Sequence, residues 1–318
     1  MRIFANPNFD FIRWRWHALA LSVAIVVAGV FAVVSRGGIP LGVDFSGGTV
    51  IWLRFAQPTN EQTVREALGA LSGEATVQTF GRPGDNEILI RLPIRHEVEQ
   101  GTNLDQDARR VEESLRGAKV GSFEVLNSDI VGPTVGADLQ RRGILATLFA
   151  LVGIMTYIAL RFRFSFGVGA AIASFHDVFV TLSILTLAGY ELSLNVIAAI
   201  LTLVGYGVND QIVVFDRVRE NMRVSRREPM RDIINRAVNQ TLPRTVITAG
   251  ATALSVLALY LFGGDVLESF AFTMLVGIVS STYSTVYIAS AVAILLSKRA
   301  PLPASQGARA AEVRRRRA

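Results

Sequence analysis

No cysteine occurs anywhere in the chain, and histidine occurs only at His17, His96 and His176. The first absence excludes a disulfide framework, thiolate-bound iron–sulfur clusters and cysteine zinc sites. The three histidines lie far apart in sequence, which argues against a histidine-rich metal centre, and no cofactor is expected. Charge is also scarce: 18% of the residues are Asp, Glu, Lys or Arg, against about 25% in an average soluble domain. Hydrocarbon takes its place, since 51% of the 318 residues are hydrophobic and the mean hydropathy is +0.40. The formal charge is +6 and the pI about 10.1. A basic pI can signal nucleic-acid binding. Here the basic residues follow a membrane pattern instead, and no nucleic-acid partner is expected.

The apolar residues fall into six runs, at 18–34, 143–160, 164–188, 194–215, 245–262 and 269–296. Each is about long enough, at ~1.5 Å per residue, to cross a hydrocarbon core of about 30 Å. The first follows Arg13 and Arg15 and has the look of a signal peptide. It is longer than a usual signal core and continues into Ser35 and Arg36 without a small-residue cleavage site, so it reads as an uncleaved first transmembrane helix.

Between the first run and the rest, residues 37–137 change character. Acidic residues outnumber basic ones there by 14 to 9, and no apolar run is long enough to span. Residues 49–55 read as a strand, with Ile51, Leu53 and Phe55 on one face and Val50, Trp52 and Arg54 on the other. Residues 59–71 read as a helix capped by Asn60 or Thr59, burying Val64, Leu68 and Leu71. Strands at 75–80 and 87–92 flank a turn at 81–86. A second helix at 105–115 spaces Ala108, Val111 and Leu115 for burial, and a last strand lies within 120–130. The order β-α-β-β-α-β is the split βαβ, or ferredoxin-like, plan, with two helices covering one face of a four-stranded sheet.

The connections between apolar runs alternate in charge. One class is basic: Arg2, Arg13 and Arg15; Arg161 and Arg163; the stretch from Arg217 through Arg219, Arg223, Arg226, Arg227 and Arg231 to Arg236; and a tail with Lys298, Arg299, Arg309 and Arg314 to Arg317. The other comprises residues 189–193 and 263–268 and the acidic-leaning segment. The positive-inside rule then places both termini in the cytoplasm and residues 37–137 outside. Arg141 and Arg142 are exceptions that snorkelling accommodates. The expected organisation is residues 1–36 as cytoplasmic N-terminus and first helix, 37–137 as the extracytoplasmic α+β domain, 138–297 as helices two to six with a cytoplasmic loop at about 216–243, and 298–318 as a basic, disordered tail. The fold class is thus a polytopic α-helical membrane protein with six transmembrane helices and an inserted ferredoxin-like domain.

Two carboxylates lie inside apolar runs: Asp177, beside His176, and Asp210, after Asn209. Charge inside a membrane segment is expensive and normally faces a bundle interior or a water path. Hydrocarbon favours the neutral acid and a nearby arginine the ionised one, and that opposition is what a proton carrier needs. The plain alternative is a structural bond between helices. On placement alone Asp210 ranks above Asp177. Arg244 opens the fifth run after Pro243, and as a bare residue it reads as one more positive-inside arginine. Thr245, Thr248 and Thr252 follow on one helical face, where they could equally serve their own backbone. Gly167, Gly169, Ala173, Ser174, Gly205, Gly207 and Gly250 permit close helix packing. Gly47 and Gly48, after Asp44 and before the first strand, suggest a tight backbone approach. No nucleophile–base set is visible.

Four segments, in order, carry a resemblance. They are Leu41 to Thr49 (LGVDFSGGT), Val131 to Gly136 (VGPTVG), Gly205 to Asn221 (GYGVNDQIVVFDRVREN) and Thr241 to Gly250 (TLPRTVITAG). Together they resemble the SecF family, the smaller subunits of the bacterial SecD–SecF protein-export complex, within the resistance-nodulation-division superfamily. Pro243 and Ala249 stand where the family more often has serine. The resemblance implies a non-enzymatic inner-membrane accessory of the Sec translocase that uses the proton motive force. It implies SecD, the SecYEG channel, the accessory YajC and translocating preprotein as partners. The family's transmembrane aspartate and arginine fall on Asp210 and Arg244. Asn209, Thr248 and Asp177 are further proton-path candidates, and Asp44, Gly47, Gly48, Gly132 and Pro133 form the family's structural motifs. The rival reading is a scaffold that uses the same six helices and titrates nothing.

Overall fold

The computed structural model describes residues 7–71, 75–80, 84–92, 104–118, 120–161, 164–225 and 228–297. The expectations for the tail 298–318, for Arg2, Arg163, Arg226 and Arg227, and for turn residues 81–83 lie outside them. In chain order the elements are α1 (Arg15–Ser35), α2 (Val43–Ser46), β1 (Gly48–Phe55), α3 (Glu61–Ala67), β2 (Thr76–Phe80), β3 (Glu87–Leu92), α4 (Leu104–Gly117), β4 (Phe123–Val131), α5 (Pro133–Arg161), α6 (Phe164–Ala188), α7 (Leu194–Val224), α8 (Met230–Phe262), α9 (Asp265–Ser284) and α10 (Ser290–Leu295). They form two compact units. Among the described residues, one lies within 39–147 and 191–197, the other within 7–38, 148–190 and 198–297.

In the first unit, alternation along the strands dictates a sheet with one buried face. Its order is β2-β3-β1-β4, and every neighbouring pair is antiparallel. This is the split βαβ arrangement expected from the sequence. Ile51, Leu53 and Phe55 of β1 pack with Ile88, Ile90, Val64, Val111 and Leu115 in one core. The opposite face carries Arg54, whose guanidinium reaches Glu87 on the paired strand at 2.5 Å. Helix α3 begins as predicted at Asn60, whose side chain accepts from the Thr63 amide at 2.7 Å. Glu61 ties that helix to β2 by accepting from the amide and hydroxyl of Thr79, at 2.7 and 2.9 Å. Those two bonds hold its carboxyl below the usual carboxylate range.

The loop before β1 turns at Gly47 and Gly48, with φ of 69° and 119°. Both values lie in the region that side chains avoid, so the glycine pair is a backbone requirement. Pro133 opens α5 at the first helical position, where its missing N–H costs nothing. Three residues on, a Cβ at Gly136 would come within 3.3 Å of the backbone at Phe45 and Gly47. The two glycine-bearing segments therefore pack against each other.

Six helical runs among the described residues are long and apolar enough to cross a membrane: Phe11–Ser35, Val135–Ile158, Phe164–Ala188, Leu194–Val224, Met230–Phe262 and Leu267–Leu295. Helices α7 and α8 reach 31 and 33 residues, more than the roughly 20 a span needs. The connection expected over 216–243 is accordingly mostly helix, because both helices continue as charged, self-paired extensions. Arg217 bonds Glu220 one turn on at 2.5 Å and Gln240 of α8 at 2.7 Å, and Arg236 pairs with Glu228. Residues 9–11 lie against the α8 extension, where the Phe9 and Phe11 amides donate to Asn239 and Asn235.

Within the second unit, small residues set the helix spacing. A Cβ at Gly29 of α1 would overlap Ser183 of α6, one at Gly207 of α7 would overlap Ser281 of α9, and one at Gly277 of α9 would overlap Leu203 of α7. Of the glycines flagged in the sequence, Gly169 and Gly207 make such contacts, whereas Gly205 and Gly250 face open space. The last span is interrupted by a π-helical turn, Thr285–Ala289, between α9 and α10.

Candidate functional site

Asp210 sits in α7 and points to α8. Its Oδ1 accepts from the Thr245 hydroxyl at 2.7 Å, and its buried Oδ2 has no partner among the described residues. Four residues earlier, on the same face of α7, Tyr206 is partly buried in an apolar cluster that also takes in Ala249 and Ala253 of α8. On α8 it is Thr245 that answers Asp210. Arg244 is exposed. No ion pair between it and Asp210 is present among the described residues.

Two sequence candidates stand apart from this contact. Thr248 donates to the backbone carbonyls of Arg244 and Thr245, at 3.0 and 3.2 Å, and Asn209 is exposed. The threonine stripe therefore divides: Thr245 bonds α7, whereas Thr248 and Thr252 serve their own helix. Sequence reasoning missed Tyr206 as a site residue. Its spacing of four from Asp210 was the available signal.

Asp177 is the second intramembrane carboxylate, and it is 2% exposed. Ser280 and Ser284 of α9 donate to it at 2.9 and 2.8 Å. His176 approaches it through Nδ1 at 3.1 Å and reaches Ser22 of α1 through Nε2 at 2.7 Å. Tyr283 lies over the His176 ring, with centroids 6.1 Å apart. Three helices thus meet at one carboxylate, and none of the partners from α1 and α9 was visible as such in the sequence.

Asp44 has a role that spacing could not reveal. Its Oδ2 accepts from the amide of Leu194, the first residue of α7, at 2.8 Å. Beside this cap, Leu41 and Leu192 form a parallel bridge, with Gly42 donating to Leu192 and Leu192 to Pro40, at 2.8 and 2.7 Å. Arg91 of β3 pairs with Glu191. The segment before β1 and the sheet itself therefore clasp the residues that lead into α7. Replacing Asp44 by Ala removes the cap and should cost about 1 kcal/mol. Faster amide exchange at residues 194–197, with near-normal exchange for Asp44→Asn, is the expected readout. Unchanged exchange in the alanine variant would show the cap to be idle.

Among the described residues no group of three or more His, Cys, Asp or Glu side chains could hold a metal ion. The two intramembrane carboxylates are held by hydrogen bonds to separate sets of neighbours.

Comparison with known proteins adds a second line of evidence. Residues 110–299 match the family model described as protein export membrane protein SecD/SecF, C-terminal. The chain is 42% identical to protein translocase subunit SecF of Desulfurispirillum indicum, over 88% of this chain and 89% of that one. It is 39% identical to SecF of Escherichia coli O157:H7, over 92% and 88%. The crystal structure of SecDF, a translocon-associated membrane protein from Thermus thermophilus, superposes with a TM-score of 0.80 at 35% identity. That match covers 92% of this chain but only 39% of the longer SecDF chain. A second crystal structure, SecDF in a super-membrane-facing form, matches with a TM-score of 0.65 at 34% identity, over 98% of this chain and 41% of that one.

Proposed function

Because the chain belongs to the SecF family of protein translocase subunits, we propose that it works with a SecD partner to drive preprotein across the inner membrane with the proton gradient. It is a transport accessory subunit, and its chemistry is the binding and release of protons. The observation that carries this reading is Asp210: a carboxylate inside a membrane span, bonded through one oxygen to Thr245 and unpartnered at the other. An oxygen in that state is free to take a proton or a water. Arg244, the residue before Thr245, is the group that sets the charge state of the carboxylate, and a small approach or retreat of α8 changes which form is favoured. Proton uptake, helix movement and proton release then make a cycle. Tyr206, four residues before Asp210, lies on the same face of α7.

SecD supplies the six further helices and larger periplasmic domain that complete the bundle. SecYEG, with YajC, and the emerging preprotein are the remaining partners. Both termini lie in the cytoplasm and residues 37–137 in the periplasm. The ferredoxin-like domain binds or steers the emerging polypeptide.

Export into membrane vesicles tests this function. Vesicles carrying the chain with its SecD partner should show preprotein translocation stimulated by an imposed proton gradient. Equal rates with and without the gradient would favour the scaffold reading. Orientation is separately accessible, because the natural chain contains no cysteine. A single cysteine at residue 85 should react with an impermeant reagent from outside, and one at residue 220 only after the membrane is opened. Protection at residue 85 in sealed cells would overturn the orientation.

A further inference from the structure

The interior between α6, α7 and α9 contains more polar atoms than the protein satisfies. Gln211 is fully buried, and neither its amide nitrogen nor its amide oxygen has a partner among the described residues. The hydroxyls of Ser281 and Thr285, 0% and 1% exposed, are unpartnered as well. These groups occupy neighbouring levels of one space. A Cβ at Gly207 would stand 3.6 Å from Asp177 Oδ2 and would overlap the Ser281 hydroxyl, so Gly207, Asp177 and Ser281 share one level. Gln211 follows Gly207 by one turn of α7, and Thr285 follows Ser281 by one turn of α9. Each pair therefore lies on a common helix face. One level further, a Cβ at Gly169 would meet the Ala289 carbonyl oxygen at 2.8 Å and the Phe215 ring at 3.5 Å.

Buried polar groups are nearly always bonded, and where the protein supplies no partner an internal water normally does, making about three bonds. Thr285 also opens the π-helical turn, a local irregularity found frequently at functional sites. The groups facing Asp177 are Ser280 and Ser284 from α9, its neighbour His176 from α6, and the backbone of Gly207 from α7. Through His176 the network reaches Ser22 of α1 and the Tyr283 ring. Asp210, one residue before Gln211, faces α8 instead. Helix α7 therefore presents a carboxylate on one side and an unbonded amide on the other.

We propose that Asp177, with internal water held by Gln211, Ser281 and Thr285, forms a second proton-carrying site, separated from Asp210 by the body of α7. Gly207 is the position where any side chain would displace the Ser281 hydroxyl from this network. The site stands whether or not Asp210 carries the export cycle.

Infrared difference spectroscopy of the full chain in lipid nanodiscs, between high and low pH and in light and heavy water, tests it directly. Two deuterium-sensitive carboxyl bands are expected, one lost in Asp210→Asn and the other in Asp177→Asn. Gln211→Leu breaks no hydrogen bond within the protein, so it should fold. It should shift only the Asp177 band and remove an internal-water O–H band. Gly207→Ala should shift the same band by crowding Ser281. If every carboxyl band disappears with Asp210→Asn, or if Gln211→Leu folds and leaves all bands in place, the interior is dry and the proposal fails. Should Asp177→Asn prove too unstable to purify, the Gln211→Leu comparison decides alone.

Discussion

Replacing Asp210 by Asn should abolish gradient-stimulated export completely and leave insertion and pairing with SecD intact. Asparagine keeps the size of the side chain and keeps an oxygen to accept from Thr245, so the contact between α7 and α8 survives. What it loses is the ability to exchange a proton. The gradient-independent rate should be unchanged, because no step before proton uptake uses the carboxylate. Arg244→Lys is a milder test of the same idea. It retains the positive charge and loses the planar guanidinium, and a partial loss of stimulation is expected. Full stimulation in Asp210→Asn vesicles would remove Asp210 from the cycle. Loss in Asp177→Asn alone would move the driving site to α6. Because the two carboxylates face different neighbours, measuring both single variants and the double variant distinguishes series from parallel action. Sites in series give a double variant no worse than the more damaging single one.

Leu53→Ala should largely unfold the extracytoplasmic domain without dissolving the helical unit. Leu53 is 0% exposed, and its strand is paired on both edges, so surrounding atoms have little freedom to collapse into the space left behind. Deleting a leucine side chain at such a site costs about 2–5 kcal/mol. A domain's whole stability is only about 5–15 kcal/mol. Limited proteolysis of the detergent-solubilised chain should cut the variant within residues 49–131 much faster than wild type, while fragments from the helical unit persist. Gln78→Ala, on the exposed side of β2, should behave like wild type within about 0.5 kcal/mol. Equal protection of both variants would mean that the core tolerates the cavity.

The two halves of the molecule differ in how much of them can be read from sequence. The strands were legible because their information is local. Ile51, Leu53 and Phe55 alternate with residues of the other face, and Asn60 caps its own helix within three residues. The intramembrane site was half legible. Asp210 declares itself as a carboxylate in an apolar run, and Thr245 as a polar residue on a facing helix. The Asp177 network was not. Ser280 and Ser284 lie more than 100 residues from their acceptor, and serine in a membrane helix is ordinary, since it can bond its own backbone. Asn209 and Thr248 are neighbours of the site along the chain, and neither bonds Asp210 among the described residues. A helix turns about 100° per residue, which takes Asn209 off the face that Asp210 uses. The 216–243 connection reads as a loop only if charge is equated with coil. Arg217, Glu220 and Gln240 instead stabilise helix by bonding to one another.

The cap that Asp44 places on α7 also sets an order of events during synthesis. Asp44 and Leu194 are 150 residues apart, and β1 to β4 lie wholly between them. A nascent chain can therefore complete the sheet while its clasp is still missing its other half. The Leu41–Leu192 bridge and the Arg91–Glu191 pair can close only after α5 and α6 have been threaded into the bilayer and the next turn has returned to the same side. Until then the outer segment before β1 carries an open strand edge and an unused acceptor. The clasp is thus the last part of this unit that the chain can complete, since its second half is the last to be made.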